Sequence, residues 1–207
     1  MLVLTAAPPP PVPPRFGYVL AHGAGAGMRH AFLEAITQTL LARNVATLRY
    51  EFAYMEQKKR RPDSPAVAVQ RVREAVERAG AEWPGLPLLA GGKSFGGRMT
   101  STAQAESPLP GVRGLVFLGF PLHPPGNPSI TRAEHLHSVA IPMLFLQGTR
   151  DEFARRDLLA GVCESLGPIA TLRWIEGGDH SFKVPKGRDV MAELADQIAA
   201  WAEGVVG

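Results

Sequence analysis

LPLLAGGKSFGGRMT, residues 86–100, runs from a buried strand through a glycine-rich turn into a helical stretch. Within it Gly92, Ser94 and Gly96 stand in the order G-x-S-x-G, which in this context is typical of an elbow that exposes a nucleophilic serine. So sharp a turn strains the serine backbone, and side chains two residues to either side would collide. Glycine at both positions removes that collision, and Gly97 lets the new helix pack closely on a neighbouring strand.

Two other glycine-rich motifs compete with this interpretation. A phosphate-binding G-x-x-x-x-G-K-[ST] loop would end on residues 92–94, but its first glycine would fall at Pro87. A dinucleotide-binding G-x-G-x-x-G in HGAGAG, residues 22–27, would need its third glycine at Met28. Because both spacings are broken, Lys93 is interpreted as the variable residue of the elbow. The HGAGAG loop is then free to aim a backbone N–H at an oxyanion.

Apolar runs that fit buried strands alternate with helix-like segments on both sides of the elbow. This alternation is typical of βαβ units, and most of the runs are continuously apolar, as strands covered on both faces should be. The sequence therefore predicts an α/β fold with a mainly parallel central sheet of about six strands, flanked by helices on both faces. The predicted strands are residues 16–22, 45–50, 86–91, 112–119, 141–147 and 169–175.

Helical spacing marks the segments between these strands. Phe32, Ile36 and Leu40 recur along one face, and Asn44 can take the left-handed position that ends a helix. Ser-Pro at residues 64–65 has the order of a cap and a first helical residue. The later helices carry Val69, Val72 and Val76, then Leu158, Leu159 and Val162, and finally Val190, Leu194, Ile198 and Trp201.

Composition and charge limit the classes of function. The 207 residues are 45% hydrophobic and 20% charged, which predicts one globular domain, residues 16–207, after a Pro-rich N-terminal segment, residues 1–15. A net charge of +3 is too small and too spread for nucleic-acid binding. No apolar run approaches the roughly 20 residues that span a bilayer, so no membrane partner is expected. The basic cluster, residues 58–61, is interpreted as a solvated loop that could instead attract an acidic substrate or partner.

Cysteine usage and the N-terminus indicate the compartment. Cys163 is the only cysteine, so no intramolecular disulfide can form within the chain. The first residues lack the basic stretch of a secretory signal and run at once into prolines. A cytoplasmic location is therefore expected.

A serine hydroxyl is a poor nucleophile unless a base removes its proton and a third group holds that base in the right tautomer. Asp151 follows the predicted strand 141–147, and His180 follows strand 169–175. Because the carboxyl ends of parallel strands open on one edge, Ser94, Asp151 and His180 are expected to converge there. The chain order Ser, Asp, His is also the one that accompanies this elbow.

Other acids and histidines near the predicted strand ends are candidates for the same roles. Asp151 could instead cap a helix, which would leave the orienting role to another nearby acid. Those acids are Glu152, Asp157 and Asp179. His22 ends the first predicted strand and is interpreted as a structural hydrogen-bond partner. Loop structure is the interpretation for the remaining candidates, His123, His135 and His137.

The negative charge that develops on a substrate oxygen needs backbone donors. The N–H of Phe95 lies at the start of the elbow helix, and the loop 22–27 is expected to add a second donor from Ala24 or its neighbours. This chemistry needs neither metal nor cofactor, so none is predicted.

Four motifs in order, HGAGAG, GGKSFGG, GTRDEF and GGDHSF, make the chain resemble the α/β-hydrolase superfamily across about residues 16–203. RYEFAYM and FPLHPPG make it look closest to the small dienelactone-hydrolase-like branch, which includes the testis-expressed hydrolase-like proteins and a chromatin-complex subunit. The resemblance implies a minimal fold with a triad on Ser94, Asp151 and His180. Dienelactone hydrolases carry cysteine where this chain has serine, so their substrate is not carried over. The N-terminal antiparallel strands of larger members are expected to be mostly absent, since only residues 2–4 precede the prolines.

The sequence therefore predicts a serine hydrolase that cleaves a small ester or thioester through an acyl-enzyme intermediate. The alternative is a non-catalytic interaction or scaffold protein, since the branch contains proteins with such roles. A complete triad and both elbow glycines favour the enzyme, because this strained arrangement brings no packing benefit. Residues 120–140 are proline-rich at first and leave room for one short helix at 131–137, so we expect a lidless site that prefers short acyl chains.

Overall fold

The computed structural model describes residues 4–6 and 13–206, and these form a seven-stranded sheet. The strands are β1 Leu4–Ala6, β2 Gly17–Ala21, β3 Ala46–Tyr50, β4 Leu88–Lys93, β5 Val112–Leu118, β6 Met143–Gly148 and β7 Ala170–Ile175. Their order across the sheet is β1-β3-β2-β4-β5-β6-β7. Strands β2 to β7 all pair in parallel, which confirms the predicted sheet.

Two features of the sheet differ from the sequence prediction. Strand β1 pairs antiparallel with the edge of β3, so a three-residue remnant of the antiparallel strands is present where they were expected to be mostly absent. Strand β4 continues past the predicted end at residue 91, because Lys93 still pairs with Leu118 of β5. Most of the Pro-rich segment 1–15 lies outside the described residues.

Helices cover both faces of the sheet, as the sequence predicts. They are α1 Ala31–Leu41, α2 Ala53–Glu56, α3 Pro65–Glu82, α4 Phe95–Glu106, α5 Arg156–Leu166 and α6 Val190–Val206, with 3₁₀ helices at Thr131–Ser138 and Gly167–Ile169. One apolar core lies under α3, α4 and α5, and the other lies under α1 and α6. Asn44 adopts a positive φ of 64° after α1, and Ser64-Pro65 begins α3, as predicted.

The segment between β5 and β6 contains the predicted short helix and leaves the fold without a lid. The 3₁₀ helix Thr131–Ser138 buries Ala133 and Leu136 in the core and packs against α4. It therefore lies beside the carboxyl ends of the strands and does not cover them. No helix in the described part of the chain has the length and apolarity needed to cross a bilayer.

Candidate active site

The elbow between β4 and α4 holds Ser94 at φ 50° and ψ −116°, a conformation that is strained for any residue with a side chain. A Cβ atom added to Gly92 would lie 2.2 Å from the carbonyl oxygen of Ala21. One added to Gly96 would lie 2.6 Å from the carbonyl oxygen of His22. Only glycine fits at either position, so the two elbow glycines are a steric requirement of the turn.

Ser94, His180 and Asp151 form one hydrogen-bonded chain at the carboxyl ends of the strands. The Ser94 Oγ lies 2.9 Å from His180 Nε2, and His180 Nδ1 lies 2.7 Å from Asp151 Oδ2. The Asp151 side chain is fully buried, whereas that of His180 is 19% exposed. With Nδ1 donating to the carboxylate, Nε2 is left to accept the Ser94 proton.

Gln147, which was not among the residues predicted from the sequence, supports this chain of hydrogen bonds through Asp151. Its Nε2 donates to Asp151 Oδ2 at 2.6 Å, and its Oε1 accepts the Phe120 N–H at 2.8 Å. The backbone N–H of Phe153 donates to Asp151 Oδ1 at 2.8 Å. Both carboxylate oxygens accept hydrogen bonds, as in an ionised aspartate. A polar residue inside the otherwise apolar strand MLFLQG is the signal that could have pointed to Gln147.

The three alternative acids have other environments. The Asp179 Oδ1 accepts the backbone N–H groups of Ser181 and Lys183 and closes the loop that carries His180. Asp157 pairs with Arg155 at the start of α5, and Glu152 is exposed. Asp151 is therefore the one of the four predicted candidates that contacts the His180 ring.

His22 has a structural role in the glycine-rich loop. Its Nδ1 lies 2.8 Å from the Gly23 carbonyl oxygen, and its Nε2 lies 3.1 Å from the Phe52 N and 3.2 Å from Glu51 Oε2, so both nitrogens of the buried ring have polar partners. The Gly25 N–H donates to the Tyr54 hydroxyl at 2.9 Å. These bonds hold the loop against the chain that follows β3.

The candidate oxyanion donors flank the serine. Ala24 borders the same cleft as Ser94 and His180. Phe95 is the first residue of α4, where a backbone N–H has no acceptor within its own helix. The two predicted donors thus belong to separate elements, and their role as oxyanion donors stays a prediction.

The cleft has a volume of about 290 Å³ and lies between the glycine-rich loop, the start of α1 and the His180 loop. Phe32, Leu33 and Phe153 give it an apolar lining, and the Phe153 ring lies on the His180 ring with centroids 4.2 Å apart. Depressions of about 340 and 610 Å³ lie beside the 3₁₀ helix Thr131–Ser138 and at the opposite edge of the sheet. The residues around those two depressions include no serine that is hydrogen-bonded to a histidine.

Three further histidines, His123, His135 and His137, are divided between loop structure and a second serine contact. His123 Nδ1 donates to the Pro124 carbonyl, and its Nε2 accepts the Arg155 N–H, which ties two loops together. His137 is exposed. His135 Nε2 lies 2.7 Å from Ser101 Oγ, a contact that the sequence analysis did not anticipate.

The basic cluster, residues 58–61, is exposed, as expected for a solvated loop. Three of its residues share a depression of about 390 Å³ with Gly25, so the cluster lies beside the glycine-rich loop. Among the described residues no three His, Cys, Asp or Glu side chains are grouped as the ligands of a metal ion would be.

A parallel α/β sheet with a strained serine at an elbow and a histidine and an aspartate at neighbouring strand ends defines the α/β-hydrolase class of protein. The chain belongs to this family, since residues 14–205 match the family model described as the alpha/beta hydrolase domain. Membership of this family supports a hydrolase activity for the chain.

Solved structures with the same fold are distant in sequence. An alpha-beta serine hydrolase homologue from Coxiella burnetii is 17% identical with a TM-score of 0.77, over 96% of this chain and 90% of that one. An a/b serine hydrolase without lid from Xanthomonas campestris is 19% identical with a TM-score of 0.76, over 97% and 89%. A dienelactone hydrolase from Anabaena variabilis is 18% identical with a TM-score of 0.77, over 99% and 92%. At these identities the likeness concerns the fold alone.

Proposed function

We propose that the protein is a serine hydrolase that cleaves a small ester or thioester, with Ser94 as nucleophile, His180 as general base and Asp151 as the group that orients the base. The observation that carries the proposal is the hydrogen-bonded chain from Ser94 Oγ through His180 to Asp151 beside an open cleft. A strained serine backbone that faces such a cleft suits a nucleophile better than a packing role.

In the acylation step the Ser94 oxygen attacks the substrate carbonyl carbon while His180 Nε2 takes the hydroxyl proton. The carbonyl electron pair moves onto the oxygen, and the backbone N–H groups of Phe95 and Ala24 stabilise that oxyanion. When the tetrahedral intermediate collapses, the bond to the leaving group breaks. His180 then returns its proton to the departing alkoxide or thiolate.

In the deacylation step the roles repeat with water. His180 takes a proton from a water molecule, whose oxygen attacks the acyl carbon of the Ser94 ester. Collapse of the second intermediate releases the carboxylic acid and returns the proton to the Ser94 oxygen. Asp151 takes no proton during the cycle, and its carboxylate stabilises the imidazolium that forms in each step. No cofactor takes part in the proposed cycle, and a cytoplasmic location suits a chain with a single buried Cys163.

Labelling with a fluorophosphonate probe tests this proposal directly. The wild-type protein should gain one covalent adduct, located on Ser94 by peptide mass, and Ser94→Ala should gain none. Ser101→Ala is the matched control, because that serine also contacts a histidine, and it should label like the wild type. A wild-type protein that stays unlabelled while it is folded would favour the non-catalytic interaction role.

A further inference from the structure

Lys93, the variable residue of the elbow, borders the same cleft as Ser94 and His180 and directs its ammonium to the loop that carries His180. Its ammonium donates a hydrogen bond to the main-chain carbonyl of His180, with Nζ and O 2.5 Å apart. A Cβ atom added to Gly119 would lie 3.1 Å from Lys93 Nζ and 3.5 Å from both Asp151 Oδ2 and His180 Nδ1. Gly119 therefore marks a point where the ammonium, the carboxylate and the imidazole meet, and its missing side chain leaves them room.

The surroundings of this ammonium are unusual for a lysine. Asp151 and Asp179 attract it, and the Phe182 ring lies 5.4 Å away, but the ammonium donates its hydrogen bond to a neutral carbonyl. Burial dominates and lowers the pKa of Lys93 to about 8, against the pull of those two carboxylates. Lysines ordinarily extend their ammonium into water, whereas this half-buried side chain turns its ammonium to the His180 main chain. A lysine with no role beyond the elbow would be expected to leave its ammonium in water and not on the His180 carbonyl.

We propose that Lys93 is a positioning residue for the general base: its ammonium clamps the His180 main chain, and its positive charge opposes protonation of the His180 ring. The proposal rests on the proposed function of the triad. The groups that face the ring are Asp151, which favours the imidazolium, and Lys93, which opposes it, together with the Ser94 hydroxyl and the Phe153 ring. The balance of the two charges determines where, on the acid side, the base becomes neutral and active.

The clamp and the charge have separable consequences. Loss of the hydrogen bond to the carbonyl loosens the loop that carries His180, which lowers kcat because base and nucleophile misalign. Loss of the charge removes a repulsion against the imidazolium, so the ring keeps its proton to higher pH. Lys93→Met removes both effects, and Lys93→Arg keeps the charge and the donors. Lys93→Gln keeps a donor without the charge.

The first experiment measures kcat and KM for p-nitrophenyl acetate from pH 5 to 10. For Lys93→Met the midpoint of the acid limb should rise by about 0.5–1 pH unit, and the plateau kcat should fall about tenfold with KM within about twofold. Lys93→Arg should keep the wild-type acid limb. Lys183→Met is the matched control, because Lys183 is an exposed lysine of the same loop, and its profile should match the wild type. A Lys93→Met profile with an unmoved acid limb and a plateau within twofold would overturn the proposal.

A second readout does not depend on catalysis. The His180 ring is titrated by NMR in Ser94→Ala protein with and without Lys93→Met, and the transition should move to higher pH when the ammonium is absent. Lys93→Gln replaces Lys93→Met if the latter does not fold, with the same expected shift. An unmoved transition refutes the charge effect whatever the activity. Full esterase activity in Ser94→Ala would instead refute the proposed function, so the two failures are distinguishable.

Discussion

Two serine–histidine pairs involve α4, one at its N-cap, Ser94, and one seven residues further on, Ser101. Their oxygen–nitrogen distances are similar, but their surroundings differ. Ser94 Oγ and His180 Nε2 are 2.9 Å apart, while Ser101 Oγ and His135 Nε2 are 2.7 Å apart. If a short contact were enough to make a nucleophile, Ser101 would be the better candidate. The two pairs must therefore be distinguished by the charge beside each histidine and by the access of each hydroxyl to the cleft.

The charged neighbour of each histidine is of opposite sign. His180 Nδ1 contacts the Asp151 carboxylate, which stabilises an imidazolium. His135 lies near the Arg98 guanidinium, and burial, followed by this charge, lowers the pKa of His135 to about 4. Because its imidazolium is destabilised, His135 is too weak a base to take a proton from a serine hydroxyl near neutral pH.

The two hydroxyl groups also differ in what they can reach. Ser101 is fully buried in α4, and its Oγ donates to the Arg98 carbonyl at 2.9 Å, so His135 serves as a donor to that oxygen. Ser94 lies on a strained elbow at the edge of the cleft. The Ser101–His135 bond fastens α4 to the 3₁₀ helix Thr131–Ser138, whereas the Ser94–His180 pair borders the cleft, as the proposed nucleophile and base require.

The largest expected effect separates the two serines. Ser94→Ala should lower kcat/KM for p-nitrophenyl acetate on the order of 10⁴-fold or more, because the nucleophile is lost. Ser101→Ala should stay within about threefold, because it removes only a packing hydrogen bond of about 1 kcal/mol. Circular dichroism checks that both variants fold. Comparable losses in the two variants would end the distinction between the pairs.

The next effect separates their charged neighbours. Asp151→Asn should lower kcat about 10³–10⁴-fold, because the amide no longer selects the tautomer with a free Nε2. Arg98→Met removes the charge beside the other histidine and should leave kcat within a few-fold. The measurement is steady-state kinetics at pH 8. A mild Asp151→Asn phenotype would mean that another group orients His180.

The elbow itself is tested by glycine substitutions. Gly96→Ala should lower the free energy of unfolding by about 2–3 kcal/mol, since its Cβ would lie 2.6 Å from the Ala21 Cβ and the His22 carbonyl oxygen. Gly161→Ala, in α5 near the second pair, meets no atom within 4 Å and should raise stability by about 0.5–1 kcal/mol. Urea denaturation measures both. Equal effects would show that the elbow can relax around a methyl group.

Acyl-chain length tests which of two depressions receives the substrate. Because no lid covers the cleft of about 290 Å³, a long chain stays largely in water, and kcat/KM should peak between acetate and butyrate and fall about tenfold for octanoate. The apolar groove beside the second pair includes Ile130, which is 49% exposed, so Ile130→Ser should not change this profile. A steady rise to octanoate that Ile130→Ser abolishes would place the acyl chain in that groove instead.

The smallest expected effect is a pH dependence of stability from His135. Its folded pKa of about 4 lies below the ordinary value of 6.5, so between these values the unfolded chain binds a proton that the folded chain does not. Stability present above pH 6.5 is therefore lost as the pH falls toward 4, by about 1–2 kcal/mol after allowance for partial exposure. His135→Gln should flatten this part of the wild-type curve in urea denaturation. An unchanged slope would assign the acid sensitivity to other groups.

The sequence was informative where a local pattern has a local cause. The period and length of apolar runs predicted the parallel sheet and its covering helices, and the glycine spacing predicted the elbow. Positions just after strands predicted that Ser94, Asp151 and His180 would meet, because parallel strands share a carboxyl edge. Strand β1 was not anticipated, since a three-residue edge strand is determined by its pairing with β3 and not by its own pattern.

The sequence by itself determined the order of the elements, the strained turn and the three residues brought to one edge, since these follow from backbone sterics and hydrophobic periodicity. Only the tertiary structure decided which side chains complete the site. Gln147 behind Asp151, Lys93 under the His180 carbonyl and the neutral Ser101–His135 pair are contacts between residues at least 34 apart, except the Gln147–Asp151 bond. Such contacts depend on packing distances of a few ångströms, which no local spacing in the chain specifies.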